Sequence, residues 1–221
     1  MIKKLQALKA KKGFTLVELI VVIAIIGVLA AILVPTLLGV VTKSRVTSAD
    51  STAKSIRDTI TEFLTDADTA GYGMKSSASV TQTLSIQVDG GKWTVAAADK
   101  ANFKKGNGTD IEWGTASGAV DTSTTLSGNK SAEKLLASKL ANRFPDMKTA
   151  SIAASLRGDA NCVALAYTAD TSAAITLGTN LPKLGTNGEW DSTAYEWDGK
   201  NAGISPTDGY IVGTSPKVDI G

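Results

Sequence analysis

The chain has 221 residues and a formal net charge of +2, and 43% of its residues are hydrophobic. This length allows one folded domain with a substantial core after an N-terminal helix. Residues 1–13 contain five lysines and no acidic residue, so without them the charge of +2 becomes −3, and the basic balance gives no support to nucleic-acid binding. Histidine is absent, which excludes Ser-His and Cys-His nucleophile pairs and imidazole ligands for a metal.

A long apolar run follows the basic start. Residues 19–34 contain no polar side chain, and no charge appears after Glu18 until Lys43. About 20 apolar residues suffice to span a bilayer, and the lysines before the run predict that the N-terminus stays on the cytoplasmic side. Because burying a carboxylate near a bilayer core costs roughly 2.5 kcal/mol or more, we expect Glu18 to have a specific role.

The junction of these two segments, residues 13–18, has the sequence GFTLVE and resembles the motif of type IV prepilins. The resemblance implies that a prepilin peptidase cleaves after Gly13 and that the new N-terminal residue, Phe14, is methylated. In a filament Glu18 can then pair with the Phe14 amine of a neighbouring subunit; the alternative is that it only complements its own helix dipole. Pilins of this short-leader class often carry helix-loosening residues at positions that correspond here to Gly27, Pro35 and Gly39.

Two other interpretations of this N-terminal segment have to be compared with the first. An ordinary secretory signal has an apolar stretch of about 7–15 residues, and the run here continues well beyond that length. A plain membrane anchor fits the length, but it requires no particular residues at the junction of Gly13 and Phe14. The motif, the basic flank and the length of the run together favour the pilin-type N-terminus.

After the run, the pattern changes to that of an amphipathic helix. Apolar residues recur at steps of three and four, the spacing of one helical face; they are Val46, Ala49, Ala53, Ile56, Ile60, Phe63 and Ala67. The whole pattern predicts one continuous helix from about residue 14 to 68, roughly 80 Å long, which Gly71 and Gly73 end. Its first half suits lipid or neighbouring helices, and its second half suits a globular domain.

Short alternating runs after the helix predict a β-rich domain. Residues 84–88 and 93–95 flank an Asp-Gly-Gly-Lys turn, which predicts a hairpin. Residues 99–129 are rich in glycine and threonine and are predicted to form a surface loop. Residues 131–144 have leucines at helical spacing, and Pro145 ends that helix. Further strands are predicted at residues 163–167, 173–177, 189–197 and 209–213.

The predicted fold class is therefore α+β. A long N-terminal stem helix packs on an antiparallel β-sheet in a pilin-like arrangement, with an additional short helix. The predicted divisions of the chain are a cleaved leader at 1–13, a transmembrane or filament-core half of the stem at 14–42, an amphipathic half at 43–70, and a β-rich head domain at 71–221.

The head contains an acidic and aromatic repeat, Glu-Trp-Asp, at residues 189–191 and again at 196–198. In a strand each tryptophan would point away from its flanking carboxylates, so the simplest interpretation is two core tryptophans with solvated acids outside. Two functional alternatives stay open: glycan binding through exposed tryptophans, and a calcium site, because hard cations take carboxylate oxygens. The candidate calcium ligands are Glu189, Asp191, Glu196, Asp198 and Asp208.

Catalysis has little support in the sequence. Cys162 is the only cysteine, so the chain cannot close a disulfide within itself, and we expect this thiol to be buried as a small hydrophobe. Ser131 and Lys134, like Ser127 and Lys130, have Ser-x-x-Lys spacing, but the companion motifs of that enzyme class are absent. We therefore predict no enzymatic activity and no cofactor.

The resemblance implies a structural subunit of a type IV pilus. Such a subunit is inserted in the cytoplasmic membrane as a prepilin, cleaved, methylated, and polymerised into an extracellular filament for adhesion or twitching motility. Its partners would be copies of itself, the prepilin peptidase/methylase, the pilus assembly machinery and the membrane, with no nucleic acid among them. Two alternatives stay open: a pseudopilin of a type II secretion or competence system, and, from a different class, a surface enzyme or lectin that is anchored singly.

Overall fold

The computed structural model describes residues 14–75, 81–97, 100–104, 111–114, 131–170, 175, 184–185, 188–190 and 211–218. The chain divides into two compact units, Met1–Ser44 and Arg45–Gly221. The predicted leader, including Gly13, lies outside the described residues.

One long helix, α1 (Leu16–Thr69), contains 54 residues. It ends at the predicted glycines: Gly71 has a φ of +87°, which is unfavourable for other residues, and the Tyr72 N–H donates to the Ala67 carbonyl at 3.0 Å. A Cβ on Gly73 would lie 2.6 Å from the Cα of Asp68, so this position also requires glycine. The prediction of one continuous helix that ends at these two glycines is confirmed.

The second unit contains a five-stranded sheet and a second helix. The sheet has the order β2-β1-β3-β4-β5, and every neighbouring pair is antiparallel. The strands are β1 (Thr81–Asp89), β2 (Lys92–Ala97), β3 (Thr149–Arg157), β4 (Asn161–Thr168) and β5 (Gly213–Ser215). The helix α2 (Ala132–Arg143) lies between β2 and β3 in the chain. The α+β arrangement, with a long helix packed on an antiparallel sheet, is as predicted.

The core forms between α1 and the sheet. All seven residues of the predicted apolar stripe are buried, and Ala53, Ile56 and Ile60 are completely inaccessible. The stripe residues from Ala53 to Ala67 join the inward side chains of the sheet and of α2 in one cluster, which includes Trp93 and Leu136. The second half of α1 is therefore amphipathic, with the face that the spacing predicted turned towards the sheet.

Two local predictions for the head are confirmed. The hairpin pairs β1 with β2, and Asp89 faces Lys92 across a turn formed by Gly90 and Gly91, whose φ values of +57° and +83° suit glycine. The helix predicted at 131–144 is α2, and its N-cap is Ser131.

Of the further strands, the one predicted at 163–167 is confirmed, because it lies within β4. Strand β4 pairs with β3 and β5. Of the strand predicted at 173–177 only Ile175 is described, and it lies outside any strand; the other four residues lie outside the described part of the chain. The strand β3 was missed because its residues 150–156 are all buried; a strand covered on both faces shows no alternation. The C-terminal strand lies at 213–215 and shares only Gly213 with the strand predicted at 209–213, of which residues 209–210 lie outside the described residues. Residues 191–197 of the strand predicted at 189–197 also lie outside them.

The described parts of the predicted surface loop at 99–129 also correct the prediction. Phe103 and Trp113 are buried, and their rings stack at a centroid distance of 4.0 Å. The indole N–H of Trp113 donates to the Tyr72 carbonyl at 2.7 Å. Isolated aromatics among glycine and threonine carry no periodic signal, yet here they fill the core beyond the end of α1.

Candidate functional site

The first half of α1 carries an extended apolar surface. Among the described residues, all nineteen large hydrophobic side chains that are exposed lie between Phe14 and Val41, at exposures from 87% down to 46%. This helix is long and apolar enough to cross a membrane. Fully burying one such side chain is worth about 1.5–3 kcal/mol, so the segment has a strong tendency to enter lipid or to pack against other apolar helices.

Glu18 forms a capping box with Thr15 at the start of α1. Its Oε2 accepts hydrogen bonds from the Thr15 backbone N–H at 2.8 Å and from the Thr15 hydroxyl at 2.7 Å. In return, the Glu18 N–H donates to the Thr15 Oγ1 at 3.2 Å. This reciprocal arrangement satisfies donors that a helix N-terminus leaves unpaired. The capping box is a third role for Glu18, in addition to the two hypotheses from the sequence, which were pairing with the Phe14 amine of a neighbouring subunit and interaction with the helix dipole.

The predicted helix-loosening residues lie within an uninterrupted α1. Pro35 has no N–H to donate, and next to it the Thr36 hydroxyl donates to the carbonyls of Ile32 and Leu33 at 3.0 and 2.9 Å. Such bonds from threonine back to the preceding turn often bend helices. A Cβ added to Gly27 or Gly39 would meet nothing within 4 Å, so their role in loosening the helix stays a prediction.

Two residues of the first Glu-Trp-Asp segment, Glu189 and Trp190, lie within the described part of the chain. Trp190 packs against a small apolar cluster of Ala153, Ala166, Ile175 and Val212, in agreement with the interpretation that it is a core residue. Glu189 is the one candidate calcium ligand within the described residues, and its buried Oε2 has no hydrogen-bond partner there. The other four, Asp191, Glu196, Asp198 and Asp208, lie outside those residues. Within the described part, no three acidic or sulfur side chains group as metal ligands would.

The two residues considered for nucleophilic chemistry have structural roles. Cys162 is buried as predicted, and burial raises the pKa of its thiol to about 12, so the reactive thiolate does not form at neutral pH. The Ser131 hydroxyl accepts the Lys134 N–H at 3.4 Å and donates to Glu133 Oε2 at 2.9 Å. The Ser-x-x-Lys spacing at this position is therefore a helix N-cap; its second instance, at Ser127, lies outside the described residues.

Comparison with known families gives two matches that together span most of the chain. A family model described as the prokaryotic N-terminal methylation motif matches residues 8–34. A second, described as a domain of unknown function (DUF5021), matches residues 46–219. The first match includes the Gly13–Phe14 junction and Glu18, and the second covers the β-rich head.

Several curated proteins are similar to the chain. A type IV major fimbrial protein FimA of Dichelobacter nodosus is 33% identical over 110 residues, which cover 42% of this chain and 69% of that protein. Another FimA of the same species is 33% identical over 122 residues, or 50% of this chain and 73% of that protein. The fimbrial protein EcpC of Eikenella corrodens is 36% identical over 85 residues, or 36% of this chain and 56% of that protein. No solved structure matches the chain.

Proposed function

The chain belongs to the type IV pilin family and is a structural pilus subunit, and we propose that it is cleaved after Gly13, methylated on Phe14 and then polymerised with copies of itself. One observation carries the proposal. The methylation motif covers residues 8–34, and the exposed apolar surface that continues along α1 begins with Phe14, directly after the proposed cleavage point. Processing at this junction therefore leaves a mature chain that starts with its assembly helix.

The apolar surface accounts for both states of the subunit. It is soluble in lipid, and it is equally well buried among copies of itself. We propose that the precursor spans the cytoplasmic membrane, with the five leader lysines on the cytoplasmic side, and that the filament is extracellular. The proposed divisions are the leader at 1–13, the two halves of the stem at 14–42 and 43–70, and the head at 71–221.

The comparisons favour a pilus over the alternatives. The relatives are named as fimbrial proteins, two of them as major fimbrial proteins, which supports a non-enzymatic pilus subunit over a pseudopilin or a singly anchored enzyme or lectin. We propose adhesion or twitching motility as its use, and the prepilin peptidase/methylase and the assembly machinery as its partners. An antibody to residues 74–221 should label surface filaments; labelling of single molecules alone would contradict the proposal.

Processing is tested by the mass of the subunit in purified filaments. We expect an intact mass that corresponds to a chain starting at N-methylated Phe14. Gly13→Val should block maturation, because a bulky side chain at the cleavage position would crowd the peptidase site. Ala10→Val, a similar increase in size within the leader, is the control and should mature normally. Filaments that still contain residues 1–13 would show that the proposed processing is wrong.

A further inference from the structure

We propose that the heads of neighbouring subunits dock through two oppositely charged flanks of α1, with the basic flank of one copy against the acidic flank of the next. This inference rests on the proposed function, because it requires that subunits pack side by side in a filament. It assigns the contacts that the heads make, in addition to the apolar contacts of the stems.

The basic flank lies where α1 meets the C-terminal segment. A pocket of about 410 Å³ is lined by Lys54 and Arg57 of α1 and by Lys217 after β5. Asp50 also lines it, but its Oδ1 already accepts the Thr214 N–H at 2.8 Å. The buried Nε of Arg57 has no hydrogen-bond acceptor among the described residues, and it makes only a long ion pair with Asp58, at 3.9 Å. This flank is therefore cationic.

The acidic flank lies on the side of α1 that faces α2. Asp58, Glu62 and Asp66 follow one another at intervals of four residues and so form a ridge on the helix, with side chains that are 58%, 68% and 66% exposed. Lys139 of α2 contacts the last two, at 3.0 Å from Glu62 and 2.9 Å from Asp66. Lys139 and the long ion pair from Arg57 to Asp58 offset only part of the charge of three carboxylates, so the ridge keeps an excess of negative charge.

The placement of the two flanks suits a filament. At about 100° per residue, Glu62 at the middle of the ridge lies about 140° around α1 from Arg57 and about 80° from Lys54, so the two flanks are different sides of the helix. An interface that joins two different surfaces of identical subunits is heterologous, and its repetition builds an open helical filament wherever the rotation between subunits does not close a ring. Opposite charges across such an interface set orientation and register, while apolar burial supplies most of the affinity.

A second copy of the chain is therefore the partner that the two flanks fit. Both flanks lie on the helix whose N-terminal half carries the apolar surface, so docking of the heads would extend the contact between stems along the same element. A small anion would match only the basic flank and would leave the acidic ridge unexplained. The pairing of both flanks requires a partner that presents both charges, which each subunit does.

Charge reversal in the full chain tests the pairing. Lys54→Glu and Glu62→Lys change exposed side chains, and each should reduce surface filaments about tenfold or more because like charges would face each other between copies. The double variant restores opposite charges in every subunit and should recover filaments. Lys92→Glu reverses a charge on β2, at the opposite edge of the sheet from β5, and should leave filament numbers unchanged.

Cross-linking tests the contact directly. The two positions are eight residues apart, about 12 Å along the helix, which is too far for a disulfide within one chain. In filaments of Lys54→Cys/Glu62→Cys, mild oxidation should give a ladder of covalent multimers, and each single cysteine variant should give none. Cys162 is buried and should not contribute.

The outcomes separate this inference from the proposed function. Normal filaments from both single reversals would overturn the charged docking while leaving the pilus function intact, and loss of filaments without recovery in the double variant would also overturn it. Absence of the cross-linked ladder in well-formed filaments has the same consequence. Absence of filaments from the parent chain itself would instead contradict the proposed function.

Discussion

At the scale of a single residue, Glu18 shows how one carboxylate can serve two states of the chain. In the isolated chain it accepts hydrogen bonds from Thr15 and caps α1. After the proposed cleavage, the amine of Phe14 would be created one residue before Thr15, where a neighbouring subunit's Glu18 can approach it in the filament. Capping needs the hydrogen-bonding capacity of the side chain, whereas pairing with an amine needs its negative charge.

Two substitutions at this position separate these roles. Glu18→Gln keeps the capping geometry, since glutamine also serves in a capping box, but it removes the charge. If pairing drives assembly, Gln and Ala variants should be processed normally and form few or no filaments, because leaving one buried charge unpaired costs about 3–5 kcal/mol. Thr15→Val, which weakens the cap and keeps the charge, is the control. Filament counts by electron microscopy decide the matter: normal piliation of Glu18→Gln would rule out pairing.

The buried thiol of Cys162 gives a pH-dependent prediction. Burial raises its pKa from 9.0 to about 12, so between these values the unfolded chain has lost a proton that the folded chain keeps. The free energy of unfolding should therefore fall as pH rises from 9 to 12, by at most about 1.4 kcal/mol per pH unit from this group. Denaturant titrations should show a shallower alkaline decline for Cys162→Ala than for the parent; parallel curves would contradict the assignment.

At the scale of elements, the sequence predicted those whose signals are local. The helix α1 has a continuous apolar period and a glycine stop, α2 has a serine cap, and the first hairpin has a two-glycine turn, so each was found. The strands β3 and β5 were not found at their true positions because non-local packing determines them. Alanines and serines of β3 become a central strand only when β1 and β4 pair with it on either side.

Packing of the α1 stripe is tested by placing a charge within it. Ile56 and Ile60 are fully buried, so changing either to aspartate should reduce the free energy of unfolding by about 3 kcal/mol or more, through a buried unpaired charge. Thermal melts of the full chain in detergent, followed by tryptophan fluorescence, measure the effect. Ser55→Asp, on the exposed face of the same turn, should melt close to the parent. An unchanged melt for Ile56→Asp would show that the stripe does not bear on stability.

The contact between β5 and α1 is the second prediction at this scale. A Cβ on Gly213 would overlap the carbonyl group of Ala49, so the strand approaches the helix at a distance that only glycine permits. The Asp50–Thr214 hydrogen bond lies beside this contact. Gly213→Ala should lower stability by about 1–3 kcal/mol through overpacking, whereas Ser48→Ala, at an exposed position of α1 next to Ala49, should change it little. Thermal melts of the full chain in detergent, followed by tryptophan fluorescence, should show the lower melting temperature for Gly213→Ala and not for the control variant.

At the scale of the whole molecule, the candidate sites differ in how far the sequence could define them. The cleavage motif and the apolar run are contiguous, so their residues could be named without a fold. The basic flank could not be predicted, because Lys217 comes near Lys54 and Arg57 only when the C-terminal segment lies along α1. The same limit applies to the buried Trp113, whose position depends on contacts with Tyr72 and Phe103.

The two-unit organisation leads to a prediction about the isolated head. Among the described residues, every buried side chain belongs to residue 46 or later, and the second unit begins at Arg45. A fragment of residues 45–221 should therefore fold without detergent and remain monomeric, because it keeps the core and lacks the exposed apolar surface. A monomeric peak in size-exclusion chromatography and a fluorescence melt close to that of the full chain in detergent would support this prediction.

A shorter fragment is the comparison. A fragment that starts at Ser51 lacks Val46, Ala49 and Asp50, and with them the hydrogen bond that holds β5 to α1, so it should melt clearly earlier. If the longer fragment is unfolded, the first half of α1 is required for the fold of the head, and the division into independent units is wrong.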